Sequence, residues 1–412
     1  MDRRGFLSLL LVSPVFASSY DEFQKQMYGE YSKYQQELAE EFTEYTKILN
    51  DEFRHFKKSV SQEWDTPKIS SRHTWVQYSK DLKTRSIVDF ENNTLKIESL
   101  SHNRLTSEAQ ITQHLGHILK QDTKSAVEND TMLNNIEQRL KELRFVSKGS
   151  IPPGDSILRL AFEDEHALSQ HPTLRKAIHT IDHNGEQIFR AFPVSQQVSQ
   201  HEENVLSGAQ TGSELQQKSG IPAHHIILKL PSNFLEKRAK KQVPVVLERS
   251  DKYKVSFSTV MSVMHTESSF NPMALSESAY GLMMINPETS GRTAHKKVYG
   301  KEKIITPTFL YNNVNNIELG SAYFNVMYYD YLQGITDPKS RLYCTIAAYN
   351  AGLGNIARAF TGKPILKKSF DTINAKSADA VFKTLEDQLP FEESKIYLNK
   401  VNERLPYYQK VN

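Results

Sequence analysis

The sequence predicts a multidomain protein: a long N-terminal helix, a mixed α+β N-terminal domain with antiparallel strands, and then an all-α domain. Bulky residues recur at every third or fourth position between residues 20 and 60, which indicates a helix. Short alternating runs follow, and helical patterns dominate from residue 232 onward. A chain of 412 residues also exceeds one ordinary core, so we expect two folded domains plus extensions.

The composition is that of a globular protein, with 38% hydrophobic and 24% charged residues. The 51 basic and 48 acidic residues leave a net charge of +3, and this near balance argues against a nucleic-acid partner. The single cysteine, Cys344, excludes an internal disulfide and a CxxC metal site. Because HExxH, P-loop and GxSxG motifs are also absent from the sequence, we expect no metal and no other cofactor.

The N-terminus has the pattern of an export signal. Two arginines precede an apolar run, and Val15-Phe16-Ala17 resembles a cleavage site, so residues 1–17 are interpreted as a signal peptide. The segment Arg3-Arg4-Gly5-Phe6-Leu7 resembles a twin-arginine signal, and an ordinary signal stays an open alternative. We expect no lipid anchor, because no cysteine stands near the predicted cleavage site.

Residues 18–62 are predicted to form one amphipathic helix with an aromatic stripe. The aromatic character disfavours a regular coiled coil, which prefers Leu and Ile at its contact positions. Two interpretations are open: the helix packs along its own protein, or residues 20–60 bind a peripheral membrane or cell-wall protein.

Residues 63–231 are predicted to form the α+β domain, with helical patterns at about residues 107–143. Its strand-like runs occupy residues 75–78, 86–90, 94–98, 188–192 and 225–230. The stretch 195–220 is rich in Gln, Ser, Gly and Glu, and we expect it to be a mobile loop.

Residues 232–412 are predicted to be all-α. Ser232 is the predicted N-cap of a helix over residues 234–250, and Ser258 is the predicted N-cap of the next helix. That second helix must end by Asn271-Pro272, because the residue before a proline avoids the helical conformation.

The second helix carries Glu267 at its C-terminal end, among apolar residues. Burial against such residues disfavours the ionised carboxyl and raises its pKa, which a general acid needs near neutral pH. A glutamate at a helix end is more often solvated, so the assignment depends on other parts of the sequence.

Three further segments decide this assignment: residues 279–287, residues 347–355 and residues 393–401. They contain Gly281-Leu282-Met283, Ala348-Tyr349-Asn350-Ala351-Gly352 and a tyrosine, Tyr397. With Glu267-Ser268 they resemble, in order, the motifs of the lytic transglycosylases that share a soluble-transglycosylase, lysozyme-like domain. The upstream part resembles the N-terminal domain of membrane-bound lytic murein transglycosylase C.

The resemblance implies a lysozyme-like transglycosylase domain at residues 232–412, located in the periplasm and acting on peptidoglycan glycan strands. The bond cleaved would be the β-1,4 bond between N-acetylmuramic acid and N-acetylglucosamine. Glycoside hydrolysis usually needs two carboxylates, whereas here only Glu267 stands in a family motif. Glu267 would protonate the leaving oxygen and then accept the proton of the muramic acid C6 hydroxyl, whose attack forms a 1,6-anhydro end.

Seven further residues are candidates for binding the glycan: Ser276, Ser278, Met283, Met284, Tyr349, Asn350 and Tyr397. Ser276 matches a family serine near the muramoyl substituents, and Tyr349 is expected to orient Glu267 by a hydrogen bond. Met284 stands where the family most often has glutamine, so the two methionines either line the groove or fill the core. Loop hydroxyls and core aromatics are the alternatives for the serines and tyrosines.

Two other functions stay open at this stage. A muramidase would activate water with a second carboxylate, such as Glu277 or Glu288, and would release reducing ends. A non-catalytic glycan-binding or scaffold protein would fit Met284 and the long aromatic helix.

Overall fold

The computed structural model describes residues 15–161, 209–215 and 220–410. Its helices are α1 Val15–Glu63, α2 Arg104–Ile118, α3 Thr123–Asn129, α4 Thr131–Leu140, α5 Phe234–Tyr253, α6 Phe257–Ser268, α7 Ser290–Tyr299, α8 Pro307–Tyr311, α9 Asn313–Asn325, α10 Pro338–Ala351, α11 Leu353–Thr361, α12 Leu366–Asn374, α13 Ala378–Gln388 and α14 Glu392–Gln409. A 3-10 turn spans Arg159–Ala161 and a π-helical turn spans Val326–Tyr331. Its strands are β1 Thr74–Tyr78, β2 Thr84–Asp89, β3 Thr94–Leu100, β4 Val146–Ser147, β5 Ala209–Leu215, β6 Pro222–Lys229 and β7 Ile304–Ile305. Within these ranges, no helix combines the length and the apolar character needed to span a membrane.

A five-stranded antiparallel sheet forms the centre of the N-terminal half, in the order β1-β2-β3-β6-β5. Helix α2 packs on it against β2, β3 and β6. The predicted strands at residues 75–78, 86–90, 94–98 and 225–230 are confirmed. Short runs that contain β-branched and aromatic residues are a local feature that the sequence displays directly. The predicted strand at residues 188–192 lies outside the described residues.

The prediction of a loop over residues 195–220 is wrong in part. Strand β5 lies within this stretch and pairs with β6 along its whole length. An edge strand is held mainly by backbone hydrogen bonds to one neighbour, so its side chains need not be apolar. The polar composition therefore concealed a strand. Residues 195–208 and 216–219 lie outside the described part of the chain.

The C-terminal half is helical except for β7, which pairs in parallel with β4 of the N-terminal half. The prediction of an all-α domain therefore misses one short strand. Both predicted N-caps are also wrong. Ser256, not Ser258, caps α6 by accepting a hydrogen bond from Thr259 N, because Ser256 has the extended backbone that a cap requires. Helix α5 begins after Asn233, not after Ser232, and has no side-chain cap.

From Lys33 onward, the aromatic stripe of α1 packs along the protein itself. The Tyr45 hydroxyl donates a hydrogen bond to Ile305 O at 3.1 Å, and Thr46 donates to the Glu288 carboxylate at 2.6 Å. On the N-terminal half, α1 packs against α4. Since the helix contacts both halves, it fixes their relative position, which supports the interpretation of internal packing.

One continuous cluster of buried apolar side chains runs through both halves of the molecule. Its members include Leu38 of α1, Leu95 of β3, Val263 of α6 and Leu398 of α14. Burial of such side chains is the largest favourable contribution to folding. The two halves consequently share a core across their boundary.

Arg238 is a buried polar link between the halves. Its guanidinium donates hydrogen bonds to Phe90 O at 2.8 Å and to Ser269 O at 3.1 Å, and it stacks on the Phe234 ring at 4.1 Å. Burial lowers the pKa of Arg238 to about 9, which still leaves it charged at neutral pH. Phe90 follows β2 and Ser269 follows α6, so this one side chain ties the sheet to the end of the helix that carries Glu267.

We expect Arg238→Met to reduce the free energy of unfolding by about 1–3 kcal/mol, because two buried carbonyls lose their donor. Urea unfolding measures this difference. The matched control is Lys240→Met, which removes an exposed ion pair with Glu236 on the same helix and should leave the free energy of unfolding nearly unchanged. Equal losses in the two variants would contradict the role of Arg238.

Candidate active site

Glu267 lies in the last turn of α6, where the chain leaves the helix sharply. The next residues, Ser269 and Phe270, have left-handed backbones with φ of 50° and 57°. Ser268 donates a hydrogen bond to Leu282 O at 2.8 Å, which joins the helix end to the segment around Gly281. The helix thus ends before Asn271-Pro272, and its last turn holds Glu267 against the 279–287 segment.

The Glu267 carboxyl is almost completely buried, with 3% of the residue exposed. Burial raises its pKa to about 7, whereas Arg72 and Tyr397 lower this pKa and Glu393 raises it. The C-terminal end of a helix carries partial negative charge, which also disfavours a carboxylate there. Glu267 therefore exchanges its proton near neutral pH, as the apolar sequence around it predicts.

Two tyrosines near Glu267, Tyr349 and Tyr397, differ in the group that their hydroxyls contact. The Tyr349 hydroxyl donates a hydrogen bond to Met283 O at 2.8 Å. The prediction that Tyr349 orients Glu267 by donating a hydrogen bond to it is therefore wrong. The Tyr397 hydroxyl, from α14, lies close enough to lower the pKa of Glu267. It is buried and forms no hydrogen bond of regular geometry with a described group. Tyr397, rather than Tyr349, is therefore the tyrosine that faces the carboxyl.

The segment after Ala279 folds into a tight turn in which Tyr280 and Ile285 pair across an antiparallel bridge. Gly281 has φ of 77°, a backbone conformation that glycine adopts without strain. The buried Asn316 side chain fixes this turn, donating to Tyr280 O at 2.8 Å and accepting from Met283 N at 2.8 Å. Sequence reasoning missed Asn316, whose only signal is an amide within a helix that is otherwise apolar on that face.

The two methionines of this turn have different surroundings. Met283 is fully buried and its side chain packs against Gly320, so the core-filling alternative holds and Met283 does not line a groove. Met284 is 7% exposed and packs with Ala274 and Ala279, in a small cluster separate from the main core. Of the two, Met284 alone presents part of its surface outward.

Ser276, Ser278 and Asn350 hold local structure around the site. The Ser276 hydroxyl accepts hydrogen bonds from Ala279 N at 3.1 Å and from Ser278 N at 3.4 Å, and Ser278 is exposed. Asn350 accepts a hydrogen bond from Ser394 at 2.7 Å, which joins α10 to α14. The Ser276 side chain thus orders the loop after α6, and the Asn350 side chain orders the pair of helices.

Arg72 is a member of the site that sequence reasoning missed. It lies between α1 and β1, and its Nη1 atom is 2.9 Å from Glu393 Oε1 and 3.9 Å from Glu267 Oε2. An arginine in a polar connection, far upstream of the motifs, carries no local signal of such a contact. Only the packing of the two halves brings it to Glu267.

The helical half and its motif segments correspond to a known class of domain. Residues 244–370 match the family model "Transglycosylase SLT domain". Residues 42–127 match "Membrane-bound lytic murein transglycosylase C, N-terminal domain". These two matches confirm the resemblance that the motifs indicate.

Curated relatives extend the similarity over most of the chain. Membrane-bound lytic murein transglycosylase C of Photorhabdus laumondii is 30% identical over 338 residues, which cover 81% of this chain and 82% of that protein. The protein of the same name from Sodalis glossinidius is 30% identical over 343 residues, covering 83% and 84%. The chain belongs to the family of membrane-bound lytic murein transglycosylase C, and it is accordingly a lytic transglycosylase.

Solved structures of more distant proteins are also similar to parts of the chain. An inactive mutant of the lytic transglycosylase Slt from Pseudomonas aeruginosa is 23% identical, with a TM-score of 0.32, over 41% of this chain and 24% of that one. A complex of the 70-kDa soluble lytic transglycosylase with bulgecin A is 18% identical, with a TM-score of 0.34, over 74% and 43%.

We expect Glu267→Gln to stabilise the protein at alkaline pH. Since the folded-state pKa is raised from 4.5 to about 7, the stability associated with the neutral carboxyl is fully present below pH 4.5 and is lost as pH rises through about 7. The variant should gain up to about 3 kcal/mol above pH 8 and almost nothing near pH 4.5. Urea unfolding at both pH values measures it, and an equal gain at both would exclude a raised pKa.

Gly281→Ala should destabilise the turn strongly. A Cβ there would lie 2.6 Å from Leu310 O and would also contact the Asn316 amide, so the turn must shift. We expect a loss about 2 kcal/mol larger than that of Gly300→Ala. Gly300 is the matched control, because its φ of 73° is similar and no atom stands within 4 Å of its Cβ position. Similar losses, measured by thermal unfolding, would argue against close packing at Gly281.

Proposed function

We propose that this protein cleaves the β-1,4 bond between N-acetylmuramic acid and N-acetylglucosamine in peptidoglycan and forms 1,6-anhydromuramoyl ends, with Glu267 acting first as acid and then as base. The observation that carries the proposal is the burial of Glu267 with a pKa of about 7. A group whose pKa lies near the working pH both donates and accepts a proton readily. The family to which the chain belongs supports peptidoglycan as the substrate.

In the first half of the reaction, protonated Glu267 donates its proton to the glycosidic oxygen, and the bond from the muramoyl anomeric carbon to that oxygen breaks. The products are a free glucosamine hydroxyl, a Glu267 carboxylate and a positively charged muramoyl ring of oxocarbenium character. Arg72 and Tyr397 lower the pKa of Glu267, which means that they stabilise this carboxylate. The buried acid thus has partners that favour its ionised form once the proton has left.

In the second half, the carboxylate accepts the proton of the muramoyl C6 hydroxyl while that oxygen bonds to the anomeric carbon. The bond that forms closes the 1,6-anhydro ring, and Glu267 returns to its protonated state. No water is consumed. Because the attacking group belongs to the same sugar, its effective concentration can reach about 10⁵ M or more when the sugar is held correctly.

Glycan binding is assigned in this proposal to groups around Glu267. Tyr349, Asn350 and Tyr397 come from the facing helices α10 and α14, whereas Ser276, Ser278 and Met284 come from the loop after α6. The relatives from Photorhabdus laumondii and Sodalis glossinidius are named as membrane-bound murein enzymes, so we place the reaction at the cell envelope. Residues 63–231 would form the accessory domain and residues 232–412 the catalytic domain.

The test is mass spectrometry of the muropeptides released from purified sacculi. We expect anhydromuramoyl products from the wild type, and a loss of about 10²–10⁴-fold in their rate of release for Glu267→Gln. Glu277→Gln is the matched control, because Glu277 is an exposed glutamate near the site and its loss should leave the rate unchanged. Reducing-end products would instead establish a muramidase, and undiminished activity of Glu267→Gln would remove Glu267 from the mechanism.

A further inference from the structure

The chain between α1 and β1 is docked onto the loop that follows Glu267. Ser71 O accepts a hydrogen bond from Leu275 N at 3.2 Å, and Arg72 O accepts one from the Asn271 side chain at 3.2 Å. The neighbouring His73 ring is 3.1 Å from the Ser269 hydroxyl. Because backbone oxygens make two of these contacts, the Arg72 backbone is held beside the loop that follows Glu267 by bonds that do not depend on the charge of its side chain.

The Arg72 guanidinium lies between two carboxylates of different exposure. The Glu393 side chain is 69% exposed and is the closer partner, whereas the Glu267 side chain is 4% exposed. The Arg72 side chain itself is 35% exposed. The guanidinium is therefore shared between a carboxylate in solvent and a carboxyl in the core.

We infer that Arg72 and Glu393 form a positioning pair that sets the pH range in which Glu267 works, which makes the N-terminal half a functional part of the active site. This inference rests on the proposed role of Glu267 as acid and base. Neither side chain reacts with the sugar. Arg72 favours the carboxylate form of Glu267, and Glu393 opposes this effect through its negative charge and by drawing the guanidinium toward itself.

Arg72 and Glu393 are the charged groups that shift the pKa of Glu267, and the other polar groups around α6 are neutral or bound elsewhere. The Tyr397 hydroxyl faces the carboxyl, and the Tyr349 hydroxyl is bound to Met283 O. Both hydroxyls are neutral, because burial raises the pKa of each well above its ordinary value. Arg404 of α14 is bound to the Thr266 hydroxyl at 2.6 Å, and Arg238 of α5 is bound to Ser269 O.

The two histidines near the end of α6, His73 and His265, have lowered pKa values. Burial is the largest cause in each case, lowering the pKa of His265 to about 3 and lowering the pKa of His73 as well. His265 therefore contributes no titrating charge in the range where Glu267 exchanges its proton, and burial disfavours the charged form of His73 as well. Arg72 and Glu393 are consequently the charges whose removal should displace the pH profile.

The experiment compares pH–rate profiles of muropeptide release for Arg72→Gln, Arg72→Lys and Glu393→Gln on one preparation of sacculi. Loss of activity at alkaline pH reports deprotonation of the acid. Arg72→Gln should shift this alkaline limb to higher pH by about one pH unit, and Arg72→Lys should largely restore its position. Glu393→Gln should shift the limb to lower pH, because the effect of Arg72 on Glu267 is then unopposed.

The matched control is Arg104→Gln, which removes another arginine of the N-terminal half that is ion-paired, with Glu108, on α2. It should leave the profile unchanged. Unmoved limbs in Arg72→Gln and Glu393→Gln, or limbs that move in the same direction in both, would overturn the inference. A lower rate with an unmoved limb would show that Arg72 has only a structural role.

A second readout does not require catalysis and separates this inference from the proposed function. The gain in melting temperature that Glu267→Gln brings at alkaline pH should be larger in the Arg72→Gln background and smaller in the Glu393→Gln background. That result together with full activity of Glu267→Gln would retain the pair and reject the mechanism. An inactive Glu267→Gln whose gain is the same in all backgrounds would retain the mechanism and reject the pair.

Discussion

The burial of one carboxyl at the end of a helix is the constraint on which the rest of the site depends. A buried glutamate destabilises the folded protein whenever it is ionised, and the protein tolerates this cost at Glu267. Left-handed residues end α6 directly behind it, and Ser268 ties the helix end to the Gly281 turn. Asn316 holds the Gly281 turn through its hydrogen bond to Tyr280 O. Together these contacts keep the Glu267 carboxyl buried.

The N-terminal half supplies a positive charge beside Glu267, the guanidinium of Arg72. The shared core, the contacts of α1 and the β4–β7 pairing hold the halves together, and the docked loop before β1 carries Arg72 to the carboxyl. The N-terminal half therefore contributes a charged side chain to the surroundings of Glu267 in addition to its own folded structure. The packing of the halves and the electrostatics of the site are therefore linked through the same few residues, and Arg238 adds a second bridge to the end of α6.

Sequence reasoning predicted features that local patterns encode. Alternation of apolar residues revealed β1, β2, β3 and β6, and the aromatic period revealed α1. Glu267 was identified because three further segments, at residues 279–287, 347–355 and 393–401, follow it in the order of the family's motifs. Other features depend on distant partners and were missed or misplaced. Arg72 and Asn316 act on segments far from them in the chain, β5 is defined by the strand beside it, and the choice of Ser256 over Ser258 depends on backbone conformation.

Because the fold buries it, the Glu267 carboxyl keeps its proton up to near neutral pH. The most direct measurement is a ¹³C NMR titration of the glutamate side-chain carboxyls in the intact protein, with Glu267→Gln used to assign the resonance. We expect the Glu267 resonance to titrate with a pKa of about 7. A resonance that titrates near the ordinary value of 4.5 would exclude Glu267 as the acid, because its carboxyl would then be ionised at neutral pH.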